Sequence, residues 1–158
     1  TDICRLAGSM CTVVNTTALG IAMAGKIKSI EIWSPPAAIG SAVTCSVEWI
    51  GFEDVNTVEK SDTSMSTARP AHLRTSPPRG TRAVNWLSGD PASAVGVFNL
   101  TAPTGSVIDV VCEHILSDTG GAPDSTMTVT ATALGVMFYA ALDGATDVYP
   151  PVGLETST

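Results

Sequence analysis

Residues Val43–Trp49 alternate between apolar and polar side chains, and this alternation constrains the fold more than any other feature of the chain. The segment reads Val-Thr-Cys-Ser-Val-Glu-Trp, with its apolar residues at odd-numbered positions. A period of two is typical of a β-strand that buries one face. We therefore predict that Val43, Cys45, Val47 and Trp49 share one buried face.

Similar strand candidates follow one another along the chain, separated by turns that contain glycine or proline. Short strands at this spacing indicate an all-β sandwich or barrel. The candidates are residues 12–15, 27–33, 42–50, 83–87, 95–101, 107–116 and 126–142.

Some of these segments carry more specific predictions. Residues 107–116 are apolar on both sides apart from three polar positions, which favours a central strand covered on both faces. In residues 126–142 the apolar positions change phase at Gly135, which indicates a β-bulge. Helix is expected only in short stretches, at residues 62–69 and after Asp90-Pro91.

The length of 158 residues suits one domain, which we take to span residues 1–158 with extended arms at 1–11 and 149–158. Hydrophobic residues make up 44% of the chain and charged residues only 15%, against the roughly 25% usual for charged residues in soluble domains. Two interpretations stay open: part of the surface is buried in an assembly, or a monomer has a Thr-rich β surface. No stretch reaches the roughly 18 apolar residues of a transmembrane helix, so we expect no membrane partner.

Catalytic motifs are missing from the sequence. It has no G-x-S-x-G elbow and no glycine-rich phosphate loop. Of the two histidines, His114 lies in a strand candidate and is interpreted as a hydrogen-bonded strand residue. The four cysteines lack C-x-x-C spacing, and Cys45 and Cys112 are predicted to be buried free thiols. We predict that the chain is not an enzyme.

Positive charge is concentrated in residues 60–82, the arginine segment, which holds Lys60 and four arginines. The net charge of −7 argues against nucleic-acid binding by the domain as a whole. Guanidinium groups match phosphate geometry, and they pair equally with carboxylates of a neighbouring subunit. Since no aromatic residues are interleaved among the arginines, we favour subunit contacts over nucleic acid. The four arginines are Arg69, Arg74, Arg79 and Arg82.

Two carboxylates suggest a metal site. Ca²⁺ takes about six to eight oxygen ligands, and two chains can share that task at an interface. Glu53 and Asp54 are the candidate ligands for such an interface calcium. The alternative is that both are solvated loop residues.

The chain resembles the capsid shell domain of small icosahedral viruses. It is most similar to the tombusvirus-like coat proteins, which also occur in some circular single-stranded DNA viruses, and the similarity covers most of residues 25–142. The segments that carry the resemblance are residues 28–35, 43–49, 61–65, 69–72 and 110–118.

The resemblance implies an eight-stranded antiparallel jelly-roll sandwich that tiles an icosahedral shell around a viral genome, located in the virion. Its main partner would be many copies of itself, with residues 34–40 and the arginine segment as candidate contacts. Family members usually have a basic N-terminal arm that binds nucleic acid, and this sequence lacks one. Genome contact would then fall to an arm not present in this chain, or to Lys26, Lys28 and the arginine segment.

Another class of function stays open on the residues alone. A secreted β-sandwich binding module, for carbohydrate or a cell surface, would fit the strand pattern equally well. Such a module would need an exposed aromatic platform, and the chain has only eight aromatic residues: three Trp, two Tyr and three Phe.

Overall fold

The computed structural model describes residues 2–53, 55–88, 96–118, 126–128, 133–142 and 151–153. One helical turn, α1 (Asp2–Arg5), and one 3-10 turn (Arg82–Val84) accompany a series of strands. The strands are β1 (Ser9–Val13), β2 (Thr17–Gly20), β3 (Ala22–Trp33), β4 (Val43–Trp49), β5 (Val58–Ser64), β6 (His72–Thr75), β7 (Leu87–Ser88), β8 (Phe98–Thr101), β9 (Val107–Leu116), β10 (Thr126–Thr128) and β11 (Met137–Phe138).

The described strands form three sheets. One has the order β10-β2-β1-β11, the second β6-β3-β7 with β9 also paired to β3, and the third β5-β4-β8. Strands β1 and β2, β3 and β6, and β4 with both its neighbours pair in antiparallel orientation. The prediction of an all-β chain is confirmed at this level, and the eight-stranded jelly roll stays a prediction.

Strand β4 has the buried face that its alternation predicts. Cys45, Val47 and Trp49 are buried, whereas Thr44 is exposed and Ser46 and Glu48 are half-buried, and Val43 at the strand's start is half-buried as well. The prediction for this strand is therefore confirmed from Cys45 onward. The buried apolar face fixes the register in which β4 pairs with its two neighbours, because a one-residue slip would turn all of these side chains to the opposite side.

The described residues fall into two compact units, one made of Thr1–Lys26, Trp86–Ala94 and Glu113–Thr158, and a second made of Ile27–Asn85 and Val95–Cys112. In the second unit the largest fully buried side chain is that of Trp49. Its Nε1 donates a hydrogen bond to the hydroxyl of Thr75 on β6 at 3.1 Å. Its ring also packs against Phe98 on β8, with centroids 5.8 Å apart. Trp49 thus ties β4 to a neighbour in its own sheet and to β6.

In the first unit a small apolar cluster of Cys11, Ala18 and Phe138 lies under strands β1, β2 and β11. His114 on β9 has its Nε2 2.8 Å from the carbonyl oxygen of Ile3. This contact confirms the interpretation of His114 as a hydrogen-bonded strand residue. It also ties α1 to the strand, since Ile3 lies within that helical turn.

Several local predictions are wrong. The helix expected at residues 62–69 is absent from the structure, and Asp62 lies instead in strand β5. Of the strand expected at residues 83–87, the first two residues lie in the 3-10 turn and only Leu87 lies in a strand, β7. Strand β9 is not covered on both faces, because its residues alternate between exposed and half-buried. The β-bulge predicted at Gly135, by contrast, is confirmed. The Gly135 N–H donates to the carbonyl oxygen of Cys11 at 3.0 Å, and the Cys11 N–H donates to the carbonyl oxygen of Val136 at 2.9 Å, so two residues lie opposite one. Gly135 has a φ of +81°, a conformation that glycine adopts without strain.

The cysteines and the chain ends complete the comparison with the sequence. Cys45 is buried and free as predicted, and Cys112 is free and half-buried. Residues 1–11, expected as an extended arm, contain α1 and the first part of β1. The short helix expected after Asp90-Pro91 lies outside the described residues, as does most of the arm expected at residues 149–158.

Candidate interaction surface on strands β3 and β6

Strands β3 and β6 bring four charged or aromatic side chains to one face of a sheet. The register places Glu31 opposite Arg74 and Trp33 opposite His72. Between them, Ile32 and Leu73 are buried on the other face. Because successive side chains of a strand alternate in direction, burying the apolar residues turns the four others outward. We call this group the Glu31 cluster: Glu31, Trp33, His72 and Arg74.

The carboxylate of Glu31 contacts an imidazole and a guanidinium group. Its Oε1 lies 2.7 Å from Nε2 of His72, and its Oε2 lies 3.8 Å from Nε of Arg74. The imidazole of His72 also stacks on the indole of Trp33, with ring centroids 5.3 Å apart and an angle of 14° between the planes. Glu31 is the least exposed of the charged members, at 23%, and Arg74 is the most exposed, at 71%.

Strand β5 supports the cluster from the side. The backbone N–H of His72 donates to Oδ2 of Asp62 at 2.8 Å. Both the ring and the backbone of His72 are therefore held, which orients the stack on Trp33. Exposed ion pairs of this kind contribute little stability, about 0.2–1 kcal/mol each. The cluster is better suited to recognition than to stabilisation, because Arg74 extends into solvent where a carboxylate or phosphate can reach it.

The other predicted arginines lie elsewhere in the arginine segment. Arg69 is exposed in the loop after β5, where its backbone N–H donates to the hydroxyl of Ser66 at 3.1 Å. Arg82 begins the 3-10 turn, and its Nη1 lies 3.5 Å from the carbonyl oxygen of Gly96. Arg79 is exposed in the Pro-rich loop before it. In the described part of the chain these arginines share no ion-pair partner, so the structure does not unite the four predicted residues in one site.

The predicted lysines and the predicted carboxylates also lie at separate places in the structure. Lys26 and Lys28 both lie on β3, half-buried and exposed respectively. Glu53 is exposed with a φ of +50°, while Asp54 lies outside the described residues. Among the residues that the structure describes, no group of three or more His, Cys, Asp or Glu side chains is arranged to hold a metal ion. The interface calcium stays a prediction.

The two loops predicted as subunit contacts begin side by side. The backbone N–H of Ser34 donates to the carbonyl oxygen of Ala71 at 3.0 Å, and the Ala71 N–H donates to the Ser34 hydroxyl at 2.9 Å. Beyond Ser34 the chain makes a β-turn at residues 38–41, closed by a 3.0 Å hydrogen bond from Ser41 N–H to the carbonyl of Ala38. Ile39 lies at the tip of this turn and is 95% exposed.

The sequence predicted Arg74 but not its partners. Glu31 and Trp33 lie on β3, of which residues 27–33 were predicted as a strand, at the outward positions of its alternation. That alternation was the available signal. It could not show that His72 and Arg74 lie opposite them, since β6 was interpreted as part of a loop.

Comparison of the chain with protein-family models, with curated proteins and with solved structures gave no match. No helix in the described residues has the length and apolar character that a membrane span requires.

Proposed function

We propose that this chain is a structural capsid protein, many copies of which assemble into an icosahedral shell around a viral genome. The sequence resemblance to capsid shell domains motivates the proposal. The nearly all-β fold agrees with it, because shells of this type are tiled by β-sandwich domains. An eight-stranded jelly roll is part of the same proposal.

The exposed apolar residues of β9 are the observation that carries the proposal. Val107, Val111 and Ile115 lie four residues apart on one face of the strand and are all exposed, at 57%, 54% and 43%, with the exposed Asp109 and Glu113 between them. A solvent-facing strand surface normally carries polar side chains, and a row of exposed aliphatic residues marks an interaction site. The low share of charged residues, 15% of the whole chain, supports the same proposal.

The arginines fit the proposal as contacts between subunits. Arg74 keeps one carboxylate partner in its own chain at 3.8 Å and remains largely exposed, so it can take a second partner from a neighbour. Arg79 is exposed and has no ion-pair partner among the described residues. A partly desolvated Arg–carboxylate pair between chains is screened less by salt than a surface contact with phosphate.

A second candidate function rests on Trp33. A carbohydrate-binding or cell-surface module needs an exposed aromatic ring flanked by polar groups, and the Glu31 cluster offers a half-buried indole beside a carboxylate and a guanidinium. The stacked His72 covers one face of that indole, which leaves the other as the contact surface. Replacing Trp33 by Ala would abolish sugar binding by such a module.

Particle size tests the proposed function directly. We expect electron microscopy of the purified native chain at neutral pH to show closed shells, and gel filtration to place most of the protein near the void volume. A monodisperse monomer at high protein concentration, together with glycan binding that is lost in W33A, would establish the second candidate and overturn the first.

A further inference from the structure

The carboxylate of Glu31 is shared unequally between its two partners. Its Oε1 lies 2.7 Å from Nε2 of His72, and since an ionised carboxylate only accepts, the proton of this hydrogen bond belongs to Nε2. Its Oε2 lies 3.8 Å from Nε of Arg74, beyond hydrogen-bond distance, so that contact is electrostatic. The guanidinium of Arg74, which is 71% exposed, is therefore restrained by charge and remains within reach of a ligand.

The contacts of His72 hold its ring in place whichever charge it carries. Its backbone N–H donates to Oδ2 of Asp62 at 2.8 Å, and its ring stacks on Trp33 with centroids 5.3 Å apart. A cation within about 6 Å of an indole centroid is attracted to the face of the ring, so the stack survives protonation. A charged donor also strengthens the hydrogen bond to Glu31. Protonation thus changes the charge of the Glu31 cluster and leaves its geometry in place.

The charge of His72 decides how much of the Glu31 charge acts on Arg74. When His72 is neutral, Glu31 and Arg74 compensate each other. When His72 is protonated, its own positive charge compensates Glu31 from 2.7 Å, closer than Arg74 at 3.8 Å. Arg74 then carries an uncompensated positive charge at an exposed position. Histidine side chains change charge between about pH 5 and 8, so the two states are exchanged within that range.

Strands β5 and β4 bring the other titratable groups near His72. Asp62 accepts from its backbone N–H, and Lys60 lies two residues before Asp62 on the same side of β5. On β4 the thiol of Cys45 donates to the backbone carbonyl oxygen of Asp62 at 3.8 Å. Burial, together with the Asp62 carboxylate, raises the pKa of the Cys45 thiol, so this group stays uncharged below about pH 8. Among these types of side chain, the imidazole is the one that ordinarily titrates between about pH 5 and 8.

We propose that Arg74 is an oxyanion-binding group whose affinity is set by the protonation of His72. The ligand is a carboxylate or a phosphate group, because a planar guanidinium pairs with either through two parallel hydrogen bonds. While His72 is neutral, Glu31 competes with the incoming oxyanion for Arg74. Protonated His72 removes this competition. The inference goes beyond the proposed function, since it requires neither a shell nor a second copy of the chain.

Tryptophan fluorescence tests the first step, the protonation of the ring that stacks on Trp33. An imidazolium in contact with an indole quenches its fluorescence, whereas a neutral imidazole does so weakly. Subtracting the emission of W33F from that of the unsubstituted chain isolates the signal of Trp33. We expect this signal to fall as the pH is lowered from about 8 to 5.5, and to stay constant in H72Q.

Sulfate binding tests the second step, the release of Arg74. Sulfate keeps both negative charges across this pH range, so only the protein titrates. Titration calorimetry at constant ionic strength would measure its affinity at about pH 5.5 and pH 8. We expect binding to be at least about threefold tighter at the lower pH, because one unit of competing charge near Arg74 has been compensated.

Four substitutions separate the roles of the residues. R74A should lose sulfate binding, whereas the matched control R79A should keep both the binding and its pH dependence, because Arg79 is exposed in a loop outside the cluster. H72Q should bind sulfate with the weaker affinity at both pH values. H72K, which carries a positive charge at both, should bind with the tighter one. The side chain of His72 is 47% exposed, so these variants keep the fold of the chain.

A competition experiment identifies the source of the oxyanion. A short aspartate peptide presents carboxylates, and a short oligothymidylate presents phosphates. The natural ligand class is the one that displaces sulfate from the unsubstituted chain at the lower concentration and binds R74A more weakly.

The proposal is overturned by any of three results. These are the absence of sulfate binding at about pH 5.5, equal sulfate affinity in R74A, and a pH dependence of fluorescence or of sulfate binding that persists in H72Q. Shells seen by microscopy, or their absence, leave this inference unchanged, so its failure is distinct from that of the proposed function.

Discussion

Replacing Thr75 by Val should destabilise the protein by removing a single buried hydrogen bond. The Thr75 hydroxyl accepts from the indole N–H of Trp49 at 3.1 Å, and Trp49 is fully buried. Valine has nearly the shape of threonine, so T75V leaves the packing in place and the indole N–H without an acceptor. A buried unsatisfied donor costs about 1–3 kcal/mol.

The effect should depend on the presence of the indole N–H. In a W49F background the indole donor is gone, so the same T75V change should cost less, because it then removes only the 3.5 Å hydrogen bond from the Thr75 hydroxyl to the carbonyl oxygen of Ser76. The expected coupling energy from the double-mutant cycle is about 1–2 kcal/mol. W49F itself lowers the free energy of unfolding because it leaves part of a well-packed site empty, but this loss is common to both arms and cancels in the cycle.

Urea unfolding followed by circular dichroism would measure the four free energies of unfolding, at a concentration at which the smallest species predominates. In thermal unfolding, each kcal/mol should appear as about 2–4 °C in Tm for a chain of this size. T63V serves as the control, because the Thr63 hydroxyl is 2.8 Å from that of Thr44 at an exposed position and should change stability by no more than about 0.5 kcal/mol. If T75V costs the same in both backgrounds, the hydrogen bond is not what stabilises this site.

Three further predictions concern other parts of the chain. Replacing Arg74 and Arg79 together by Ala should impair assembly even without nucleic acid, as measured by gel filtration; normal empty shells that lack only genome would assign the arginines to nucleic acid instead. Burial raises the pKa of the Cys112 thiol to about 11, so its alkylation at pH 8 should be at least about 100-fold slower than that of a small free thiol. The alkylation rate, measured by peptide mass spectrometry, should rise about tenfold per pH unit as the thiolate forms. A rate that levels off below pH 9 would contradict this. G51A should destabilise severely, by about 3 kcal/mol or more, because an added Cβ would collide with the carbonyl oxygen of Val55; urea unfolding of G51A close to that of the unsubstituted chain would show that the turn can move aside.

Sequence patterns predicted strands β4 and β9 and missed β5. Strand β4 was predicted from its alternation, and β9 was predicted with its bounds. Strand β5 was interpreted as partly helical, because Asp62 and Pro70 have the positions of helix start and stop signals. An edge strand needs no apolar alternation, and β5 is held by its backbone pairing with β4 instead.

The candidate surface was only half predictable for a related reason. Arg74 was identified by its charge, but its relation to Glu31 arises from the pairing of two strands more than forty residues apart along the chain. A single sequence does not state the register between distant strands. The exposure of β9 was missed because aliphatic residues occur on both its half-buried face and its exposed face, so composition alone could not distinguish them.

The turn at residues 38–41 is a suitable site for the insertion of a foreign peptide. Gly40 has a φ of +80°, and a side chain added there would meet no atom within 4 Å. The hydrogen bonds of Ser41 to Ala38 close the turn locally, so neighbouring strands do not depend on its tip. Lengthening an exposed loop costs little, about 0.6 kcal/mol for each doubling of its length. A foreign epitope placed after Ile39 would therefore lie in solvent on the single chain at small expense to folding, and its effect on assembly would show whether residues 34–40 form a subunit contact.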